Sequence, residues 1–293
     1  MGNRNIVIAG CGYVGSRLAQ ALGLSTITAL VRSEASASRL EAVGIRALRC
    51  DLDRPVETAL PTDGAEIYYL VPPPSQGTED TRLRHFLQVL GHSGQPRRLV
   101  YLGTTGVYGD CKGEWVDETR PLHPKADRAL RRADAERQLL RWRKEQDREL
   151  VLLRVAGIYG PGKLPLRRLQ ARKPMIPPEQ APWTNRIHVD DLVQALAAAM
   201  HRGRNGRIYN LSDGHPGNMA DYFNAVADAA GLPRPPLIDL DEDGGRLSPG
   251  LRSYLAESRR IDNRRMLEEL GVVLRHPTLE SGLAACFGQP ESS

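Results

Sequence analysis

Three glycines, Gly10, Gly12 and Gly15, follow the apolar run Ile6-Val7-Ile8-Ala9 in G-x-G-x-x-G spacing, and the helix-forming segment Ser16 to Leu22 leads from them to Gly23. The chemistry this spacing serves is anion capture. Gly10 lets the backbone turn and Gly12 lets it approach a pyrophosphate with no Cβ in the way. Gly15 lets the helix pack on the sheet with its free N–H groups facing phosphate. A dinucleotide is the expected ligand; the alternative is a sharp strand-to-helix corner with nothing bound. Cys11, Tyr13 and Val14 fill the variable positions and are expected to line the cofactor without chemistry of their own.

Arg32, followed by Ser33, stands at the end of the second strand, where an acid would bond the ribose 2′-hydroxyl of NAD. A planar guanidinium instead grips a 2′-phosphate and stacks on adenine, which favours NADP over NAD. The alternative is a solvent-exposed arginine at a strand end. Asp51, ending the third strand, either accepts from the adenine amino group or starts the next turn. Leu70 and Val71, closing the fourth strand, complete the expected cofactor-binding set.

The elements that must position these residues alternate strand and helix, the pattern of an α/β, doubly wound parallel sheet. Strands are expected over 26–31, 45–50, 66–71, 98–102 and 150–155, with helices over 37–43, 79–90 and 125–144. After the sixth strand, Gly160-Pro161-Gly162, Pro165, Pro174, Pro177-Pro178 and Pro182 break regular layering. The chain is expected to return to the core through a helix over 189–201 and a strand over 207–211. A helix over 218–230 follows, then a loop or lid over 233–249, and closing helices over 262–270 and 279–286. This divides the protein into a dinucleotide-binding core over 1–156, on which the segment of about 186–212 also packs, and a smaller substrate-binding region over 157–293.

The 293 residues are 41% apolar, enough for such a core, and carry a net charge of +5. The excess is arginine, but Asp127, Asp134, Glu136, Glu145 and Asp147 interleave the richest stretch, so a solvated helix face is expected rather than a nucleic-acid partner. No run approaches the ~18 apolar residues of a membrane span, and no signal-peptide pattern precedes the first strand, so a cytoplasmic protein is expected. Cys11, Cys50, Cys111 and Cys286 are scattered, which points to reduced thiols and to neither a metal site nor a disulfide.

Several later stretches resemble, in order, motifs of the extended short-chain dehydrogenase/reductases, the NAD-dependent epimerase/dehydratase family. They are Leu102-Gly103-Thr104-Thr105-Gly106-Val107-Tyr108-Gly109, Asp117-Glu118-Thr119, Leu153-Arg154-Val155-Ala156-Gly157-Ile158-Tyr159-Gly160-Pro161-Gly162, Arg186-Ile187-His188-Val189-Asp190-Asp191-Leu192 and Gly206-Arg207-Ile208-Tyr209-Asn210. The resemblance spans nearly the whole chain. It implies a Rossmann core with a small C-terminal substrate region, a nicotinamide cofactor and, often, a homodimer.

The resemblance breaks where the family keeps its proton chemistry. There a Ser or Thr acts with a Tyr-x-x-x-Lys pair. Thr104 matches the first, but counting back from Ala135-Glu136 puts Arg132 at the lysine and Arg128 at the tyrosine. A guanidinium with a pKa above about 12 is no base at neutral pH. Arg132 could take over the lysine's hydrogen bonds to the nicotinamide ribose, and the pair could grip an anionic substrate; alternatively both point into water on a degraded site. Tyr108 and Tyr159 are the replacement proton donors to weigh, although in the family tyrosines in these segments pack. His188 precedes a helix opened by two aspartates and reads as a cap; His123 is a further candidate, and Trp183 to Arg186 are expected at the substrate. The function expected is thus an NAD(P)-dependent oxidoreductase or epimerase on a small carbonyl, alcohol or sugar-nucleotide substrate with a non-standard acid/base. The alternative is a non-catalytic dinucleotide sensor.

Overall fold

The computed structural model of the protein describes residues 5–24, 27–242 and 244–288. In chain order the first half holds β1 (Ile6–Ala9), α1 (Tyr13–Leu22), β2 (Ile27–Val31), α2 (Glu34–Glu41), β3 (Arg46–Arg49), β4 (Glu66–Tyr69), α3 (Thr81–Ser93), β5 (Arg98–Leu102), β6 (Trp115–Val116) and α4 (Asp127–Glu145). Then follow β7 (Leu150–Val155), β8 (Gly157–Tyr159), α5 (Leu166–Gln170), β9 (Trp183–Thr184), β10 (Arg186–His188), α6 (Val189–Arg202), β11 (Ile208–Leu211) and β12 (Gly217–Asn218). The chain closes through α7 (Met219–Ala229), α8 (Pro249–Leu255), β13 (Arg260–Ile261), α9 (Arg264–Leu270) and α10 (Leu279–Gly288).

Seven strands form one sheet in the order β11-β7-β5-β4-β1-β2-β3, every neighbouring pair parallel. Residues of β1, β4 and β7 are buried throughout, which is why they are mostly apolar rather than alternating, with Glu66 and Arg154 as buried charged exceptions. One face of the sheet packs on α1, α2 and α6 through Leu18, Leu40 and Leu196; the other packs on α3 and α4 through Phe86, Leu139 and Trp142. The strand order reverses between β1 and β4. At such a switch the crossover helices leave to opposite sides and open a crevice at the carboxyl ends of the strands, which positions the glycine turn.

A separate apolar cluster, including Leu169, Met175, Phe223, Val226 and Leu283, knits α5, α7 and α10 together beyond the sheet. The loop between β5 and α4 is tied to the far end of the chain: β6 pairs with β13, and the Asn210 amide donates to both Val116 O (3.2 Å) and Asp262 O (3.3 Å).

The expected layering is present, with shifted boundaries that follow the caps. The helix expected over 37–43 begins at Glu34 because Ser33 Oγ accepts from Ser36 N, and the one expected from 79 begins at Thr81 because Asp80 accepts from Leu83 N. Thr26 lies outside the described residues; the strand expected from it is described over Ile27–Val31. The stretch expected to be loop up to 249 leads into α8, and α5 and the two-to-three-residue strands β6, β8, β9, β10, β12 and β13 were not anticipated. Elements this short carry no periodic signal.

Candidate functional site

The turn between β1 and α1 is built as its glycines require. Gly10 adopts φ +87°, and a Cβ there would stand 2.8 Å from Val71 N. At Gly15 a Cβ would meet Gly10 O at 2.9 Å and Ile8 Cγ2 at 3.2 Å, so close helix–strand packing excludes any side chain. Gly12 differs: a Cβ on it has nothing within 4 Å. The space above Gly12 is not needed by the protein, and it is where a diphosphate would lie against the open start of α1, whose N-cap has no side-chain partner.

This turn forms one wall of a cavity of about 550 Å³ that also takes in Arg32, Asp51, Leu70 and Val71. All the residues expected to bind cofactor except Arg132 therefore meet in one place. Cys11 and Cys50 also border it, and burial pushes both thiols up to about 11, which leaves them unreactive at neutral pH. Arg32 pairs with Asp53 at 3.1 Å while remaining two-thirds exposed, and Arg82 grips the same carboxylate at 2.6 and 3.0 Å. Those Arg82 hydrogen bonds, with Arg32 behind them, hold Asp53 below the usual carboxylate range. Ser36 and Arg39, on α2, line the same end. Asp51 Oδ1 accepts from Asp53 N at 3.1 Å, so it shapes the turn as well as facing the cavity.

A second cavity of about 520 Å³ shares Leu102 and Lys163 with the first. Thr104, Arg128, Arg132, Arg186 and Arg259 lie on its wall. Thr104 Oγ1 accepts from Gly106 N at 3.1 Å, which leaves its hydroxyl proton free to donate. Arg132 does not point into water. Its Nη1 donates to Leu102 O (3.1 Å) and Tyr101 OH (3.3 Å), which anchors the guanidinium at the end of β5 beside Thr104. Arg128 donates to Ser253 Oγ at 2.5 Å, lies 3.6 Å from Glu257 and stacks at 4.0 Å over the Tyr254 ring. Both arginines thus face the cavity on one side of α4, held by carbonyls, a hydroxyl and an aromatic face. Arg186 stacks on Tyr222 at 3.8 Å, and burial pulls its pKa down.

Tyr108, expected as a catalytic residue, is placed elsewhere. It is 1% exposed, donates to Asn210 Oδ1 at 2.7 Å and accepts from Arg154 Nη1 at 2.9 Å, and it does not reach the cavity. Burial outweighs the arginine and pushes its phenol up to about 12. Tyr159 is likewise buried, donates to Thr278 O at 3.4 Å and is raised by the same cause. His188 Nδ1 accepts from Asp190 N at 3.3 Å, as a cap does. The phenol that does line the cavity is Tyr254, on α8, which sequence reasoning missed. Its helix has seven residues inside a stretch punctuated by proline and glycine, so no pattern announced it.

Next to Arg186, whose carbonyl accepts from Asp213 N at 2.8 Å, the Asp213 carboxyl is buried and raised to about 6 by desolvation. Between pH 3.8 and 6 the folded chain keeps a proton that the unfolded chain has released, so stability falls as pH rises through that window and stays reduced above it, by about 3 kcal/mol. The Asp213→Asn variant is therefore expected to gain up to that amount at pH 7.5 and little at pH 4, read as urea midpoints at the two pH values. An equal gain at both would show that the carboxyl is not the cause.

The NAD dependent epimerase/dehydratase family matches residues 6–212. Protein YeeZ of Escherichia coli K12 is 25% identical over 291 residues, covering 94% of this chain and 97% of its own. The solved structure of a functionally unknown conserved protein from Silicibacter pomeroyi has TM-score 0.80 and 34% identity, over 96% of this chain and 97% of that one. UDP-glucuronic acid 4-epimerase from Bacillus cereus, solved in complex with NAD, shares the fold at TM-score 0.73 and 17% identity, covering 96% of each chain.

Proposed function

The chain belongs to the NAD dependent epimerase/dehydratase family, and from that premise we propose that it is an NAD(P)-dependent oxidoreductase or epimerase acting on a small anionic carbonyl, alcohol or sugar-nucleotide substrate. The observation that carries this reading is the junction of the two cavities at Leu102 and Lys163: a glycine turn with room for a diphosphate opens into a chamber whose wall is cationic. The dinucleotide, when bound, supplies or accepts the hydride. Gly10 to Gly15, Leu70 and Val71 would hold it, with Arg132, anchored on Leu102 O, reaching its nicotinamide ribose. Thr104 would donate its free hydroxyl proton to a substrate oxygen.

Arg128 holds the Tyr254 ring rather than acting as a base, and the Tyr254 phenol stands with Thr104 as a second hydroxyl on the chamber wall. Lys163, Arg132 and Arg186 on the wall favour a substrate that carries negative charge, while Glu257 on the same wall already pairs with Arg259 at 2.9 Å and with Arg128 at 3.6 Å. Four free cysteines fit a reducing, cytoplasmic setting.

At the adenosine end, Arg32, Ser36 and Arg39 favour NADP, because together they offer two cations and a hydroxyl to a 2′-phosphate. The test is titration with NADPH and NADH, followed by fluorescence. NADPH is expected to bind about 10-fold or more tightly, and Arg32→Ala is expected to remove most of that ratio, a change of about 1.4 kcal/mol. Saturation by neither nucleotide at millimolar concentration would overturn the functional reading; an unchanged ratio in the variant would overturn only the role of Arg32.

A further inference from the structure

At the start of α6, side chains from two distant stretches of the chain converge away from the substrate chamber. His188 Nδ1 lies 3.6 Å from Asp190 Oδ2, and His276 Nε2 lies 3.6 Å from the same oxygen. The three donor atoms fall within 4.8 Å of one another, and the two imidazole rings approach to 4.0 Å between centroids. A separation of 3.6 Å is too long for a hydrogen bond. It is close to the roughly 3.3 Å edge of a tetrahedron whose centre lies about 2.0–2.1 Å from nitrogen and oxygen ligands. We propose that His188, Asp190 and His276 form a binding site for a divalent transition-metal ion, Zn²⁺ by the character of the donors, with a fourth position open to water.

The surroundings of the three side chains hold them in place. His188 is fully buried, its ring set edge-on to Tyr159 at 5.2 Å. With Nδ1 facing Asp190, its Nε2 contacts Cys286 Sγ at 3.9 Å, the arrangement in which a ligating imidazole uses its other nitrogen to fix tautomer and orientation. The His276 backbone is tied down by Asp191, whose carboxylate accepts from Arg275 N (2.6 Å) and His276 N (3.1 Å). Two charges oppose a cation here, the positive end of α6 and the Arg17 guanidinium, which acts on His188 electrostatically. Asp190 and Asp191, both in the first turn of α6, bring two negative charges against them. The ion would displace Asp190 N–H from Nδ1, a contact of only 3.3 Å. Its effect would be to clamp the segment that carries His276 onto α6.

The experiment uses the full chain stripped of metal with a chelator and titrated calorimetrically with Zn²⁺, then with Co²⁺ followed by visible absorption. The result expected is one ion per chain, an absorption band of tetrahedral strength and a raised thermal midpoint. His276→Ala and Asp190→Asn should each weaken uptake by about two orders of magnitude. Circular dichroism checks each variant's fold; Asp190 is 45% exposed, so its substitution tests the site even where His276→Ala does not fold. Absence of one-to-one uptake by the natural chain overturns the proposal, as does uptake unchanged in a folded Asp190→Asn protein.

Discussion

Gly12→Val is expected to lose dinucleotide affinity by about 100-fold or more while melting within a few degrees of the natural protein. Nothing within 4 Å opposes a Cβ at this position, so the added side chain starts from open space and the fold itself does not require glycine here. The same side chain fills the space against which a diphosphate would lie and removes its approach to the amide groups at the start of α1. Two lost charge-assisted hydrogen bonds at about 1.5–3 kcal/mol each give the magnitude. Gly10→Ala is the contrasting variant. Its φ of +87° and the 2.8 Å approach to Val71 N place the cost in the fold, at about 3 kcal/mol from backbone strain and overlap together. Calorimetric melting and nucleotide titration of both variants separate the two roles. If Gly12→Val binds nucleotide normally, the phosphate does not sit at this turn.

The second large effect belongs to Arg154 and Glu136. Their side chains are 4% and 3% exposed and are joined twice, Nε to Oε1 at 3.0 Å and Nη2 to Oε2 at 2.7 Å. Arg154→Leu strands a buried carboxylate and is expected to cost 3–5 kcal/mol, by about the usual penalty for breaking such a pair from one side. Removing both charges in Arg154→Leu with Glu136→Leu should recover much of that loss, since the desolvation penalty then disappears from both partners. Denaturant midpoints for the single and double variants decide it. A double variant as unstable as the single one would show that the pair's other contacts dominate. Arg154 also donates to Tyr108 OH, on the loop that begins at Thr104, so the single variant should loosen the wall of the second cavity too.

Much of this arrangement was legible in the residues. The glycine spacing and the alternation of strand and helix were read from local chemistry, and local chemistry forms them; the Ser33 and Asp80 caps that set where α2 and α3 begin were not read. Arg132 was placed by register from Ala135-Glu136, and the structure sets it at the cavity beside Thr104. What escaped had long-range causes. Tyr108 looked available because it follows Thr104 closely, yet its hydroxyl is taken by Asn210 and Arg154, about 102 and 46 positions later, pairings that no local pattern encodes. Tyr254 reaches the chamber only because α8 folds back over α4, where its ring meets Arg128. His276 reaches α6 through the backbone bonds it makes to Asp191.

The pairing of β6 with β13 sets a timetable for a chain made from its N-terminus. Residues that border the glycine-turn cavity are all synthesised by Lys163, whereas the loop beyond Thr104 waits for Arg260 and Ile261 to complete its two-stranded ladder. At roughly 5–20 residues per second, the interval of about 100 residues lasts some 5–20 s. A nascent protein therefore has the residues of the glycine-turn cavity in hand well before Tyr254, Glu257 and Arg259 complete the wall of the second cavity, and a message truncated ahead of codon 260 would yield the first set of residues without the β6–β13 pairing.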